Sequence, residues 1–260
     1  MADEPKNVKF VVARAFAHLA AIAFLGILTQ PLSAQIAVSP VTIEFNDMAD
    51  SPVTRTLSVA NQGAVARSVD IHFMDFDQAE DGSHQFYEFG THERTCSGRL
   101  HADVAAVVIP AESSRPVGVT MNPDNHSCYA MAFVQVNSLR TDGGPRLNQR
   151  VGVKVYGTSS EHTPEGSVDD LSLDESDLRL TVTNSGERIL RASGRVELRH
   201  EDGELVDTLR IRGWSVLPTS TRTRVFDLPE DLPSGNYLAV AVLDYGGPVR
   251  IGRRAELTIR

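Results

Sequence analysis

The residue run that comes nearest to a chemical site is Asp77-Gln78-Ala79-Glu80-Asp81-Gly82, followed by Gln85 and Glu88. Aspartates at the first and fifth positions, glycine at the sixth and glutamate at the twelfth match the oxygen ligands and the sharp turn of a calcium loop. Ala79 removes the ligand wanted at the third position, and no helical periodicity flanks the run. An Asp-Gly turn between two strands is therefore its expected meaning, and no metal site is expected. The histidines at 72, 84, 92, 101 and 126 are scattered, without the His-x-x-x-His or His-Glu-x-x-His spacing that sets two ligands on one helical face. No Gly-x-Ser-x-Gly elbow, phosphate-cradling glycine loop or dinucleotide fingerprint occurs. These absences point to a protein that binds without catalysing and that needs no cofactor.

Residues 177–260 use arginine as their only cation, with Arg188, Arg191, Arg195 and Arg199 near one hairpin and Arg210, Arg212, Arg222 and Arg224 further on. Guanidinium forks grip carboxylates and phosphates in two-pronged geometry, which makes an acidic envelope polymer one candidate ligand. Twelve acidic residues are interleaved with them, so a salt-laced solvent face is the plainer reading. Trp214, close to Pro218, is either an exposed apolar contact or core. The formal charge of the whole chain is −9, and no basic face is visible, which argues against a nucleic-acid partner.

The first 34 residues read as a secretory signal. Lys6, Lys9 and Arg14 lead an apolar run from Ala15 to Leu28, and Pro31-Leu32-Ser33-Ala34 offers a cleavage point before Gln35. The run is short of the roughly 20 apolar residues that a membrane span needs, so membrane contact is expected only through the uncleaved signal. An exported protein of the periplasm or cell surface of a bacterium follows. In an oxidising compartment Cys96 and Cys128, the only two cysteines, are expected to pair. Closing that loop would contribute about 3–4 kcal/mol on the chain-entropy model. A metal pair or a reactive thiol is the competing reading, and it lacks a Cys-x-x-Cys spacing.

What positions these residues is a succession of short runs with apolar side chains at every second place, separated by Gly, Asn, Asp and Pro. Arg67 to Asp75 is the clearest, with Val69, Ile71 and Phe73 on the face assigned to a core. Seven strands are expected up to Tyr156. Residues 158–176 carry six acidic residues, no basic one and few apolar ones, the composition of a solvated linker that would let its flanking domains move independently. The expected organisation is a signal over 1–34, one domain over 35–157, an acidic linker over 158–176 and a second domain over 177–260.

The two halves repeat. Leu57-Ser58-Val59-Ala60-Asn61-Gln62-Gly63 has a counterpart in Leu180-Thr181-Val182-Thr183-Asn184-Ser185-Gly186, and the spacing from Pro110 to Tyr129 equals that from Pro218 to Tyr237, 19 residues. The Asn-x-Gly turns are expected to supply left-handed backbone, and each tyrosine to bury its ring and return its hydroxyl to nearby backbone. The fold class expected is all-β, two tandem immunoglobulin-like β-sandwich domains after the signal peptide.

The first domain resembles the N-terminal immunoglobulin-like domain of periplasmic pilus-assembly chaperones. The likeness runs from Ile36-Ala37-Val38-Ser39-Pro40 through Leu57 to Gly63, Asp75-Phe76-Asp77, Asp81-Gly82 and Val108-Ile109-Pro110 with Ser113 and Arg115, to Arg150-Val151-Gly152-Val153-Lys154-Val155-Tyr156. The second domain is similar only in being another sandwich. The resemblance implies that Val151, Val153 and Val155 form a partner-binding edge strand lending alternate apolar side chains to an incomplete pilus or envelope subunit. It implies that Lys154 is a candidate anchor for a carboxylate. It departs from the family in lacking a basic residue in Ser39-Pro40-Val41-Thr42-Ile43-Glu44-Phe45, and Asn148 and Gln149 interrupt the apolar row. The alternative is a structural or adhesive envelope module whose sandwiches bind wall polymer or a host protein. As plain structure, Val151 to Val155 is an inward-facing row and Lys154 a solvated residue.

Overall fold

The computed structural model describes residues 36–46, 51–137, 149–159, 162–229 and 231–259, so the expected signal, 1–34, lies outside the described residues. Every regular element among those described is a strand. The first sandwich contains β1 (Ile36–Ser39), β2 (Thr42–Asn46), β3 (Val53–Asn61), β4 (Arg67–Gln78), β5 (His84–Tyr87), β6 (Leu100–Ala102), β7 (Ala106–Ile109), β8 (Ser113–Met121), β9 (Cys128–Asn137) and β10 (Arg150–Thr158). One of its sheets has the order β1-β3-β8-β6 and the other β2-β10-β9-β4-β5, with β7 also paired to β4. The second contains β11 (Gly166–Asp174), β12 (Asp177–Asn184), β13 (Leu190–His200), β14 (Leu205–Val216), β15 (Thr221–Asp227), β16 (Gly235–Asp244) and β17 (Ile251–Ile259). Its sheets run β11-β12-β15 and β14-β13-β16-β17. The chain is thus all-β, with two tandem immunoglobulin-like sandwiches.

Period-two burial drives both. In β12 the side chains of Leu178, Leu180, Val182 and Asn184 are buried in alternation with half-buried ones, because successive side chains of a strand leave opposite faces. One apolar core gathers Leu57, Val69, Ile71, Val117, Ala132 and Val153 between the first pair of sheets. A separate one gathers Leu180, Leu198, Trp214, Ala241 and Leu257 between the second pair. Trp214 is therefore core and not an exposed contact.

At Pro40, where a first strand from Ile36 to Phe45 is expected to be interrupted, the Ser39–Pro40 peptide is cis and the chain changes sheets: β1 pairs antiparallel with β3, and β2 pairs parallel with β10. Proline removes a ladder donor and so suits a break between sheets. Cys96 and Cys128 are bonded, with their Cα atoms 5.2 Å apart and both buried. The loop carrying Cys96 is organised by the buried carboxylate of Asp75, whose Oδ2 accepts the backbone N–H groups of Gly90, Thr91 and His92 at 2.8, 2.9 and 3.0 Å. Its Oδ1 accepts the Thr95 hydroxyl at 2.7 Å.

The internal repeat has a different physical basis from the one expected. Gly63 and Gly186 are not among the positive-φ glycines; the buried asparagine side chains hold the turns instead. Asn61 Nδ2 donates to the carbonyls of Val65, Ile109 and Pro110, and its Oδ1 accepts Gly63 N–H. Asn184 does the same with Arg188, Val216 and Gly186. The tyrosines part company: Tyr237 Oη donates to the Pro233 carbonyl at 2.8 Å, as expected, whereas the Tyr129 ring lies outside the first core.

The stretch expected as a linker contains strand β11, with Val168 and Leu171 buried against the second core. Its ladder with β12 slips between Val168 and Asp170. That bulge shifts the inward parity from even to odd positions, which erases the alternation a strand normally shows in sequence.

The sandwiches are docked together. A third apolar cluster joins Phe76, Tyr129, Met131, Phe133 and Tyr156 of the first to Leu217 of the second, with Ile189 against it. Around it Arg94 pairs with Glu187, and Arg191 pairs with Glu44 while lying 4.8 Å over the Tyr156 ring. The turn between β4 and β5 meets β15, where Thr223 N–H donates to the Glu80 carbonyl at 2.9 Å. The expectation of independent motion across a solvated connector gives way to this packed junction.

Candidate partner-binding edge and cleft

Strand β10 carries every residue singled out for partner binding. It pairs antiparallel with β9 along its length, Arg150 opposite Gln135 through Gly157 opposite Cys128. On its other side the register with β2 begins only at Lys154, opposite Thr42. Arg150 to Val153 are consequently an open edge among the described residues. Backbone groups alternate along a strand: Val136 N–H donates to the Gln149 carbonyl toward β9, and Lys154 N–H donates to the Val41 carbonyl on the opposite side. By that parity the N–H and C=O groups of Gly152, like those of Arg150, face away from β9 with no described strand paired to them.

The valine row does not face a partner. Val153 and Val155 are fully buried in the first core, and Val151 is half-buried. They point between the sheets because the same parity that frees the Gly152 backbone turns odd-numbered side chains inward. What β10 offers is main chain. Gln149, which interrupts the apolar row, ties the seam beside this edge: its Nε2 donates to the Ile36 carbonyl at 3.1 Å and its Oε1 accepts Ile36 N–H at 3.3 Å. Asn148 lies outside the described residues.

On the outer face beside the edge, Gly152 leaves Met131 and Phe133 uncrowded; a Cβ there would meet Met131 Sδ at 3.0 Å and Phe133 Cε1 at 3.2 Å. Phe133 is surrounded by the Arg150 guanidinium at 3.3 Å from its ring centroid, by Phe86 at 5.2 Å and by His72 at 5.7 Å. Phe86 and Tyr87 of β5 are 42% and 37% exposed, so this aromatic surface remains partly open next to the edge.

Lys154 projects from the outer face, half-buried, toward the junction. Burial first, then the charges of Arg222 and Arg191, pull its ammonium below the ordinary lysine value. Arg222 of β15 is depressed in turn by burial and then by Arg224. His84 of β5 is lowered by burial and then by Lys154 and Arg222. Lys154 is thus within electrostatic reach of Arg191, Arg222 and His84 at the junction. No ion pair engages Lys154 or Arg222 among the described residues.

Sequence reading missed Arg191, Arg222 and His84 as neighbours of Lys154, and it missed the junction cluster. A signal for the latter is present: from Cys128 to Val134 strand β9 is apolar at consecutive positions, so both of its faces need a cover. The run from Asp77 to Gly82 is the expected turn, with Gly82 N–H donating to the Ala79 carbonyl at 2.8 Å, and no metal-holding cluster occurs among the described residues. Arg195 and Arg199 both engage Glu197.

No family model matches the chain, and no curated protein matches it in sequence. Among solved structures, a chain of the chaperone–tip adhesin complex of CFA/I fimbriae biogenesis superposes with a TM-score of 0.53 at 11% identity, covering 86% of this chain and 99% of that one. The class 5 fimbriae chaperone CfaA gives 0.52 at 10% identity, covering 86% and 100%. At such identities the likeness is one of fold. The chain has the fold of the fimbrial chaperones, and the match spans both sandwiches where the sequence motifs reached only the first.

Proposed function

We propose that this protein is an exported, chaperone-like protein of the bacterial periplasm that binds a polypeptide partner without catalysis, in pilus or envelope assembly. The observation that carries the reading is the open edge of β10 in a chain with the fimbrial-chaperone fold. An unpaired strand edge is a template for an added strand, and the Arg150 and Gly152 backbone groups give that strand its hydrogen bonds. Lys154 lies two residues further along β10, where its ammonium would take up a carboxylate of the partner. The partner's apolar side chains would rest on Phe86, which is exposed, since Val153 and Val155 belong to the core. Co-purification from periplasm tests this: a bound envelope subunit is expected. Recovery of no polypeptide, with retention on envelope polymer instead, would reject chaperoning in favour of an adhesive module.

A further inference from the structure

Strand β15 leads away from the junction, at Thr223, to the other end of the second sandwich at Asp227. A cavity of about 750 Å³ lies there, where the β11–β12 turn, the loop after β15 and the last residues of β17 meet. Leu173, Leu228, Leu232 and Ile259 line it, each partly buried against the second core, so its floor is apolar. Glu175, Asp177 and Asp227 supply carboxylates to the same lining. Asp177 stands opposite Asp174 in the β11–β12 ladder and opposite Asp227 in the β12–β15 ladder. Three aspartates are therefore abreast across one sheet, and like charges so placed repel. Asp174 is offset by Arg179 at 3.4 Å, whereas no cation pairs with Glu175, Asp177 or Asp227 among the described residues. Glu230 and Arg260, which border this region in sequence and lie outside the described residues, carry opposite formal charges.

The complementary chemistry stands at the other end of β17. Val249-Arg250-Ile251-Gly252-Arg253-Arg254, in the turn from β16 and the start of β17, contains three arginines and no acidic residue. Val249 is 67% exposed, and all three arginines are exposed beside it. None of them enters an ion pair among the described residues, although Arg253 leans toward the Val168 carbonyl, 3.5 Å away. An exposed valine flanked by unpaired arginines matches an apolar cavity rimmed by unpaired carboxylates in both shape of charge and hydrophobicity. Within one molecule the two surfaces cannot meet. Thr258 follows Arg250 by eight residues of extended chain, roughly 26 Å at about 3.3 Å per residue.

We propose that the β16–β17 turn of one molecule docks in the acidic cavity of a second copy, Val249 entering the apolar floor while Arg250 and Arg254 face the rim carboxylates. The contact joins two different patches, so each molecule in a pair keeps one cavity and one turn free, and association runs head to tail. A contact of this small size is weak, and salt weakens it further. Neither patch includes β10, so self-docking stands or falls independently of strand addition at that edge.

Sedimentation of the full exported chain over a range of concentrations tests the proposal. Species of increasing size are expected as concentration rises, and added salt should shrink them. Val249→Asp places a carboxylate on the exposed turn, and Asp177→Asn combined with Asp227→Asn neutralises the rim without changing its shape. Each variant should stay folded and associate about tenfold or more weakly than the parent. Mixed in equal amounts, the two variants should associate again, because one retains the cavity and the other the turn, and their product should stop at dimers. A parent that stays monomeric at every concentration would overturn the proposal, even if its cavity took up some other basic, apolar segment. So would variants that associate as the parent does, or a mixture that fails to recover association.

Discussion

Thr223 donates its backbone N–H to the carbonyl of Glu80 at 2.9 Å, and through this bond a strand of one sandwich continues into the turn of the other. The two domains share an interior beside it, built on the outer face of the β4–β9–β10 sheet. That face would be solvent in an isolated sandwich. Here Phe76, Tyr129 and Tyr156 are buried on it, and Phe76 is flanked by the rings of His84, Tyr129 and Tyr156 at 5.4, 5.3 and 6.5 Å.

Phe76→Ala removes the centre of this cluster. It is expected to cost about 3–5 kcal/mol, as for a large buried aromatic side chain. Denaturant unfolding of the variant should show it, together with faster hydrogen exchange at Thr223 N–H. A loss of stability with unchanged Thr223 exchange would mean that the cluster supports the first sandwich alone.

Asn61→Ala and Asn184→Ala should be destabilising to a similar degree, on the order of 2–4 kcal/mol each, since each leaves partly or fully buried backbone carbonyls without a donor. Equal effects in urea unfolding would establish the repeat as one physical device used twice. A small effect at either position would show that water replaces the amide there.

Reduction of Cys96–Cys128 should lower the stability of the first sandwich by about 3–4 kcal/mol and leave the second unaffected. Hydrogen exchange resolved by strand distinguishes them, because β8 and β9 should gain exchange while β13 and β16 should not.

Acidification should loosen the junction in two stages. Burial, then Lys154 and Arg222, lower the folded pKa of His84 below 6.5, so its contribution is complete above that value and is lost as pH falls through the folded one. The Arg94 hydrogen bond, acting against burial, holds Glu187 below the ordinary glutamate value. Its contribution is present above about pH 4.3 and is lost as pH falls through its own lowered pKa. Thr223 exchange followed from neutral pH downward, corrected for the intrinsic pH dependence of the amide rate, should rise first with His84 and again with Glu187. Arg94→Gln should erase the second rise.

Strands, sandwiches and the disulfide were legible because inward and outward side chains alternate and because both cysteines lie in the segment read as exported. The β11 strand was not: its bulge near Asp169 moves the apolar positions from Val168 to Leu171 and mimics a linker. The alternation of the β10 row was legible, and its inward reading holds for Val153 and Val155, which are buried in the first core. Lys154 was singled out from its place in β10. Its neighbours Arg222 and His84 were not, because they reach it from distant strands only once the two sandwiches dock. Arg222 looked like one of many surface arginines in sequence.

Two substitutions at Gly152 separate the open edge from the side-chain face beside it. Gly152→Pro removes the N–H that a partner strand needs, whereas Gly152→Ala adds the same Cβ against Met131 and Phe133 but keeps it. Capture of a periplasmic polypeptide by each variant should be measured beside the parent chain. Capture is expected for the parent and for Gly152→Ala and none for Gly152→Pro; undiminished capture by a folded Gly152→Pro variant would contradict strand addition at this edge.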